Sequence, residues 1–349
     1  MQMSSIWNNR ISVSFFGETD GPAIGVTIDN LPPGEFIDAD EIRRFMDRRT
    51  PKSCRNENTR RTPTPRIMSG ILNERTSGGP LCAFIQNVDA RPNSDTSNVS
   101  RLAMPGHADY TGALRYRGYN DVKSRVDMSE RLTAPLVFAG AVCAQILERR
   151  GIFTGAHIYQ IHNIKDNPYD KVKLDRDAVL SVRYKDFPVI NDRKGWLMLE
   201  DMAHAKEAGE SLGGIVECAA VNVPAGVGAP VFNGIENNIA QLIFGIPAVK
   251  GLEFGAGFST AKMLGSQNND DFYVDDHGHV LTKTNNHGGI LGGISSGMPI
   301  VLNVAFKPLA NEGLGGIGDT CIVPRIVPCV ESAVNIALLS NMLDYPGFC

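Results

Sequence analysis

Short segments in which apolar and polar residues alternate predict most of the strands of this chain. Ile11, Val13 and Phe15 alternate with Ser12 and Ser14, which is the period-two pattern of a half-buried strand. Comparable segments recur along the chain, bounded by glycine, proline or asparagine. The predicted strands cover residues 11–16, 23–28, 80–87, 214–223 and 297–307.

Stretches with a helical repeat of apolar positions predict the helices. Asp38 is a suitable N-cap and Glu41 follows three residues later, which predicts a helix that begins at Ala39. Pro135 falls in the first turn of a second apolar stretch, where proline is tolerated because the first turn has no internal partner for its N–H groups. The predicted helices cover residues 39–49, 132–150, 230–244 and 327–343, with another inside 195–213.

The order of these elements predicts an α+β fold. Strands and helices alternate without the regular spacing of βαβ units, which favours separate layers over a doubly wound sheet. Polar loops are expected at residues 52–66 and 91–101, and a polar hairpin at 274–285. No exact internal repeat and no long linker divides the sequence, so one large domain is expected over residues 1–349.

Composition and charge narrow the function. The chain is 42% hydrophobic and 21% charged, which is typical of a folded globular protein. Its net charge of −4 gives no reason to expect a nucleic-acid partner. Of the 22 arginines, 18 precede residue 151. They indicate either an ordinary charged surface or a pocket for an anionic ligand, because guanidinium groups bind carboxylate and phosphate in pairs of hydrogen bonds.

Cysteine use and apolar runs indicate a reducing compartment. The seven cysteines form no CxxC pair, which argues against a disulfide framework and against a structural zinc or other metal site. The first ten residues contain no apolar signal segment, and no run of 18 apolar residues predicts a membrane span. A cytoplasmic protein with no membrane partner is the simplest expectation.

Three glycine-rich or histidine-containing stretches carry candidate chemistry. Residues 17–21 form a glycine-bounded turn after a strand, for which a structural role is favoured over ligand binding. His107 lies in the loop Pro105-Gly106-His107-Ala108-Asp109, where its imidazole could transfer a proton near neutral pH. Residues 285–297 contain a dense glycine run, which indicates either a phosphate-binding loop or a tight turn in a crowded core.

Taken together and in this order, the motifs resemble those of the chorismate synthase family. The resemblance runs from about Trp7 to Asp344. The matching stretches are residues 21–29, 33–34, 67–70, 76–80, 105–110, 246–258, 265–266, 285–297, 307–308 and 323–328, with Asp319. So many matches in the same order are highly specific for one family.

This resemblance implies a fold, a reaction and a cofactor. Members of the family form a β-α-β sandwich, usually assembled as a homotetramer. They convert 5-enolpyruvylshikimate 3-phosphate to chorismate by 1,4-anti-elimination of phosphate, the last step of the shikimate pathway to aromatic amino acids. The reaction needs reduced FMN, which is not consumed. Some members also reduce their flavin with NADPH, although this sequence contains no nicotinamide fingerprint.

The resemblance also implies roles for individual residues. It assigns catalytic roles to His107, Asp319 and Asp20. It assigns contacts with FMN to Ser129, Pro247, Ala248, Gly292, Lys307 and Asn311. It assigns contacts with the anionic substrate to Arg49, Arg55 and Arg131.

Several residues depart from the family pattern. Asp20 occupies the position of a histidine, and a carboxylate can donate a proton near pH 7 only if its pKa is strongly raised. Asp127, Asn303 and Ile317 occupy positions where arginine is expected. Two hypotheses therefore stay open: a chorismate synthase with a rearranged pocket, and a paralogue that keeps the scaffold but serves a binding or assembly role or takes a different anion.

Overall fold

Two antiparallel sheets enclose a layer of helices in the computed structural model. The structure describes residues 5–18, 21–54, 64–87, 106–117, 133–309 and 320–347. The helices are α1 (Ala39–Asp47), α2 (Asp109–Arg115), α3 (Thr133–Glu148), α4 (Arg176–Arg183), α5 (Asp192–Glu207), α6 (Ile235–Phe244), α7 (Gly265–Asn268) and α8 (Val323–Met342). The strands are β1 (Ile6–Asn8), β2 (Ser12–Phe16), β3 (Ala23–Asp29), β4 (Arg66–Ser69), β5 (Ile71–Leu72), β6 (Arg75–Thr76), β7 (Leu81–Gln86), β8 (Phe153–Ile161), β9 (Ile164–Lys165), β10 (Gly214–Val221), β11 (Val249–Phe254), β12 (Phe272–Val274), β13 (Val280–Thr282), β14 (Ile290–Leu291), β15 (Ile294–Ser295) and β16 (Ile300–Phe306).

Each half of the chain contributes one five-stranded sheet. The first sheet has the strand order β1-β2-β3-β7-β4, and the second has the order β9-β8-β10-β16-β11. All neighbouring strands in both sheets are antiparallel. The expected α+β sandwich is therefore confirmed, with the sheets outside and helices between them.

The centre of the helical layer is formed by α3 and α8. Every residue of α3 from Thr133 to Leu147 is buried, and so is every residue of α8 except Arg325. These helices are apolar all round because each packs against the other helix and against a sheet. They meet where a Cβ at Gly140 would lie 2.1 Å from the Cβ of Ser332, so glycine is needed for this close approach. By length and composition α8 could cross a membrane, but nearly all of it is buried in the protein interior.

The two halves repeat the same local design, although the sequence shows no exact repeat. Residues 70–81 and 289–300 share the pattern Gly-Ile-Leu, three variable positions, Ser or Thr, Ser-Gly, one variable position and Pro. Both segments form a two-strand hairpin that leads into a central strand, β7 or β16. The Thr76 hydroxyl accepts a hydrogen bond from the backbone N–H of Glu35, and the Ser295 hydroxyl accepts one from Val227, each at 2.9 Å. The similarity was hidden because only turn residues are shared.

Some predicted boundaries were wrong. The helix expected from residue 230 begins at Ile235, because Val231 has a φ of +69° and Gly234 is extended. The C-terminal helix was predicted from residue 327 but begins at Val323, so it includes both Pro324 and Pro328. By contrast, Asp38 caps α1 as predicted, since its carboxylate accepts hydrogen bonds from the backbone of residues 40 and 41.

Candidate functional site

Lys307 joins three of the segments that the sequence analysis singled out. Its ammonium group donates a hydrogen bond of 2.7 Å to the carbonyl of Gly106, and its backbone N–H donates one of 3.0 Å to the carbonyl of Ala248. Gly106 and Ala248 both have positive φ, at 75° and 69°, which turns their carbonyls toward Lys307. We define the Lys307 corner as Lys307, Gly106, His107, Pro247 and Ala248.

His107 is half-buried in this corner, just before α2. The first turn of α2 is closed by hydrogen bonds to the carbonyl of Ala108, from the N–H of Gly112 at 2.7 Å and the hydroxyl of Thr111 at 3.0 Å. Because the loop is fixed on one side by α2 and on the other by Lys307, the imidazole has a defined position with access to solvent.

Asp319 and Asn311 lie outside the described residues, but the residues that flank them lie near this end of the second sheet. The hydroxyl of Ser211 donates to the carbonyl of Leu309 at 2.7 Å, and the N–H of Leu212 donates to the carbonyl of Thr320 at 2.8 Å. Leu212 shortly precedes β10, whose first residue pairs with the last residue of β16. Leu309 and Thr320 therefore both lie at the end of β16 that leads to Lys307.

Of the three arginines that are predicted to bind the substrate, Arg49 is the one that lies among the described residues. Its guanidinium donates a hydrogen bond of 2.9 Å to the hydroxyl of Thr133, which joins the end of α1 to the first residue of α3. Arg55, Arg131, Ser129 and Asp20 fall outside the described residues, so their roles stay predictions.

Gly292 lies away from the Lys307 corner. It forms the turn between β14 and β15 with Gly293, whose carbonyl accepts a hydrogen bond of 3.0 Å from the N–H of Ile235 at the start of α6. This hairpin precedes the first residue of β16, whereas Lys307 follows the last. The structure therefore brings Pro247, Ala248, His107 and Lys307 together, but not Gly292.

Most of the glycine-rich run serves packing. A Cβ at Gly288, Gly289 or Gly293 would lie at most 2.5 Å from a backbone atom of another segment. The buried amide of Asn285 organises the loop by donating to the carbonyls of Lys171 and Pro299 and by accepting from the N–H of Gly289. Gly292 differs, because a Cβ there would meet nothing within 4 Å. The tight-turn interpretation is thus right for most of the run, and Gly292 alone is open to a ligand or a partner.

Gly17 is likewise a structural residue. It has a φ of +97°, and a Cβ would lie 2.2 Å from the carbonyl oxygen of Ala23. Gly21 is held by a hydrogen bond of 3.1 Å from the side chain of Asn87 to its carbonyl.

A buried ionic group that sequence reasoning missed connects α1 with α8. Glu331 is completely buried and accepts two hydrogen bonds, of 2.5 and 2.7 Å, from the guanidinium of Arg48. Its carboxylate also lies 3.6 Å from Arg183, which pairs with Glu148 at 2.5 Å. The carboxylates of Glu331 and Glu148 raise the pKa of Arg183 despite its burial, so its guanidinium stays charged.

This group lies beside a cavity of about 460 Å³. The cavity is lined by parts of α1, α3 and α8 and by residues 183–188, with both basic and acidic side chains. Because Arg48 and Arg183 already bind Glu331 and Glu148, these two arginines stabilise the fold rather than offering a free anion site. No local sequence signal could have paired residues that are 283 positions apart.

A second buried ionic cluster lies on the outer face of the second sheet. His157 donates or accepts a hydrogen bond of 2.8 Å with Glu217, and its other ring nitrogen lies 3.3 Å from Asp166. Burial alone would lower the pKa of His157, but the two carboxylates outweigh burial and raise it. The pKa of Asp166 is lowered, because hydrogen bonds from His157 and from the backbone of residues 190 and 191 outweigh its burial. Asn303, one of the departures from the family pattern, lies on this face and donates to Glu253 at 3.3 Å.

In the described part of the chain, no three His, Cys, Asp or Glu side chains come together as a metal site. The polar features that point to a ligand are the cation of Lys307, the accessible imidazole of His107 and the open turn at Gly292. The cation of Lys307 and the imidazole of His107 lie in one corner and fit an anionic ligand, whereas the turn at Gly292 lies away from them.

The fold is a single-domain β-α-β sandwich in which a lysine and a histidine share one corner, and comparison with known proteins shows its family. A family model described as chorismate synthase matches residues 11–314. The chorismate synthase of Thermococcus kodakarensis is 39% identical over 353 residues, covering 95% of this chain and 96% of the relative. That of Lancefieldella parvula is 36% identical, covering 99% and 98%. A crystal structure of chorismate synthase superposes with a TM-score of 0.79 at 28% identity, covering 97% of this chain and 94% of the other. The chain belongs to the chorismate synthase family.

Proposed function

We propose that this chain is a working chorismate synthase, which eliminates phosphate and a proton from 5-enolpyruvylshikimate 3-phosphate in the presence of reduced FMN. The observation that carries the proposal is similarity over nearly the whole length to enzymes of that name, with the family's histidine and lysine motifs joined in one corner. A cytoplasmic location and a homotetramer are the corresponding expectations.

The chain's own groups suit this chemistry. The substrate carries a phosphate and two carboxylates, which Arg49 would bind with Arg55 and Arg131. In the elimination a C–O bond breaks, phosphate leaves with the electron pair, and a ring proton is lost as a new C=C bond forms. The conversion has no net redox change, which agrees with a cofactor that is not consumed.

The described residues also fit the flavin. Lys307 would bind its phosphate, and Ala248 and Pro247 would lie against it with Ser129 and Asn311. The family resemblance also assigns Gly292 to the flavin, but within this chain Gly292 lies away from the Lys307 corner. Bound reduced FMN supplies electron density during loss of phosphate. His107 would hold or donate a proton beside it, Asp319 would assist removal of the substrate proton, and Asp20 would act through water where relatives have histidine.

Phosphate release tests the proposal directly. Purified protein with reduced FMN and substrate, under anaerobic conditions, should release phosphate stoichiometrically with chorismate. Replacing His107 by Ala should lower turnover about tenfold or more, the lower end expected for a proton-transfer group. His277→Ala, at an exposed histidine of the β12–β13 hairpin, is the matched control and should leave turnover unchanged.

The alternative is a paralogue without this activity. It is favoured by Asp20, Asp127 and Ile317, which replace a proton donor and two anion-binding arginines. A folded protein that binds flavin and substrate but releases no phosphate would establish the paralogue and refute the synthase. Asp20→His should then restore measurable turnover if the missing proton donor is the limiting defect.

A further inference from the structure

We propose that Thr133 is a positioning residue for substrate binding, because its buried hydroxyl fixes the guanidinium of Arg49 in the orientation that binds the substrate. This inference rests on the proposed function, which assigns Arg49 to the anionic substrate. It adds a residue that the family motifs did not single out and that acts through Arg49 rather than by touching the substrate.

The backbone of Arg49 is fixed just after the end of α1. Its N–H donates a hydrogen bond of 3.1 Å to the carbonyl of Met46, and the N–H of Thr50 donates one of 3.0 Å to the carbonyl of Asp47. Met46 and Thr50 are both buried. The side chain of Arg49 therefore starts from a defined point. An arginine side chain nevertheless has several rotatable bonds, and it loses conformational entropy when it is held in one place.

The hydroxyl of Thr133 fixes the other end of this side chain. It accepts a hydrogen bond of 2.9 Å from the terminal nitrogen Nη2 of Arg49. Thr133 is only 3% exposed, so its hydroxyl cannot turn to bulk water, and the branch at its Cβ restricts χ1. Because a guanidinium is planar and rigid, a hydrogen bond at one nitrogen limits the directions in which its other N–H groups point.

Thr133 is an exception in α3, which is otherwise a packing helix. Every residue between Thr133 and Gln145 is buried, and none of them has a side chain that forms strong hydrogen bonds. Gln145 holds the beginning of α1, since its amide accepts from the N–H of Asp38 at 2.8 Å and donates to the carbonyl of Asp38 at 2.9 Å. Gln145 thus binds backbone groups, whereas Thr133 binds a charged side chain. The bond from Thr133 therefore has its main consequence for the direction of Arg49.

The neighbouring arginine shows what a neutral partner changes. Arg48 donates two hydrogen bonds to the carboxylate of Glu331, which neutralises its charge in the protein interior. A hydroxyl carries no charge, so Thr133 orients Arg49 without cancelling the positive charge that attracts a phosphate or a carboxylate. The two arginines are adjacent in the sequence, but Arg48 serves stability and Arg49 serves binding.

Equilibrium binding of the substrate tests this role. Because the reaction needs reduced FMN, isothermal titration calorimetry with oxidised FMN measures the dissociation constant without turnover, and it applies to inactive variants as well. Thr133→Val keeps the shape of the side chain but removes the hydroxyl. It should raise the dissociation constant about five- to tenfold, because the long side chain of Arg49 must then be ordered when the substrate binds. Thr133→Ser keeps a hydroxyl and should restore the affinity to within about twofold of the wild type.

Steady-state kinetics of phosphate release give a second readout. Thr133→Val should raise KM for the substrate and change kcat by less than about twofold, because uniform binding is lost and no group that reacts is removed. The affinity for FMN should stay at the wild-type value. A lowered kcat with an unchanged KM would overturn the proposal.

A double-mutant cycle shows whether Thr133 acts through Arg49. Arg49→Met should raise the dissociation constant of the substrate about tenfold or more, because a hydrogen bond to a charged group is lost. Adding Thr133→Val to Arg49→Met should raise it by less than about twofold further, since the residue that Thr133 orients is already gone. Full additivity of the two effects would mean that Thr133 contributes independently of Arg49 and would overturn the proposal.

Two controls separate positioning from a general loss of structure. Thr154→Val is the matched control, because Thr154 is 2% exposed and its hydroxyl has no hydrogen-bond partner in the described part of the chain. It should leave substrate binding unchanged. Gln145→Leu should lower Tm but also leave substrate binding unchanged; an effect on binding as large as that of Thr133→Val would mean that the attachment of α1, rather than the direction of Arg49, is what matters. Thr133→Ala replaces Thr133→Val if its melting curve shows that the valine variant is unstable.

The failures of the two proposals can be told apart. Wild-type protein that neither binds the substrate nor releases phosphate would overturn the proposed function, and this inference with it. Wild-type binding that Thr133→Val leaves unchanged would overturn only the role of Thr133.

Discussion

The two halves of this protein have the same topology but different surroundings, and the difference shows what the fold requires and what function adds. In both halves the chain forms, in the same order, two paired strands, a turn that contains proline and glycine, a two-strand hairpin and a long buried helix. On the second sheet, the outer face is covered by residues 166–191, with Val179 packed against Gly155. On the first sheet, outward-facing residues such as Ser14, Thr27 and Cys82 are only partly buried.

This contrast explains where the buried charges lie. A covered sheet face excludes water, so an ionisable residue there needs partners of opposite charge. His157, Glu217 and Asp166 supply one another with such partners. On the outward face of the first sheet, Ser14, Thr27 and Cys82 form a row of small neutral residues, and no comparable ionic cluster occurs among the described residues of that face.

The largest effect is expected where the halves are joined by Glu331. Glu331→Gln would leave Arg48 and Arg183 buried without their carboxylate, at a cost of about 3–5 kcal/mol in the free energy of unfolding. Urea unfolding followed by circular dichroism measures this. The matched control is Asp344→Asn, which removes an exposed ion pair with Arg10 that also joins the two ends of the chain and should cost at most about 1 kcal/mol. Equal losses in the free energy of unfolding for the two variants would show that burial does not decide how much an ion pair stabilises the protein.

A somewhat smaller effect is expected at the helix crossing. Gly140→Ala should destabilise the protein by about 3 kcal/mol, because the new methyl group would overlap Ser332 and force α3 and α8 apart. This outweighs the gain of about 1 kcal/mol that alanine normally brings to a helix interior. Gly79→Ala is the control, since its nearest neighbour would lie 3.6 Å away. A stabilised Gly140→Ala variant would contradict the close packing of the two halves.

The ionic cluster of the second sheet should make its outer layer sensitive to pH. His157 has a raised pKa, so its contribution is complete below about pH 6.5 and is lost as the pH rises through the folded value. Asp166 has a lowered pKa, so its contribution is present above its unfolded value and is lost as the pH falls through the folded value.

Hydrogen exchange at three backbone N–H groups measures this effect. The N–H of Tyr169 donates to Glu217, and those of Ile190 and Asn191 donate to Asp166. After correction for intrinsic rates, their protection should fall above neutral pH, while that of β3 in the first sheet should not. His157→Gln should abolish the pH dependence and cost about 1–3 kcal/mol of local stability. A pH-independent wild type would mean that His157 is not charged at neutral pH.

The smallest change in stability is expected from exchanging the two turn residues. Asn73→Gly and Gly292→Asn should each alter the free energy of unfolding by less than about 1 kcal/mol. Both positions have positive φ, and a side chain at position 292 would extend into open space. Differential scanning calorimetry of the two variants measures this. A strongly destabilised Gly292→Asn variant would show that the fold, rather than a ligand or partner, requires glycine there.

Local sequence predicted those features that depend on near neighbours. The cap at Asp38, the strand at Ile11 to Phe16 and the buried stretch around Pro135 follow from backbone hydrogen bonding and side-chain periodicity, and all occur in the structure. The family motifs also predicted the β-α-β sandwich. The prediction that Pro230 begins a helix was wrong, because Val231 has a φ of +69°, which a right-handed helix does not allow, and the helix begins only at Ile235.

The amino-acid sequence by itself determined many of the elements, although not β8 or α4, together with the family and the residues that are candidates for the chemistry. Only the tertiary structure decided that Lys307 meets Gly106 while Gly292 lies beyond the other end of β16, that Glu331 unites two distant arginines, and that one sheet face is covered. The physical reason is range: periodicity and capping act over a few residues, whereas burial and ion pairing join residues hundreds of positions apart once a particular packing excludes water.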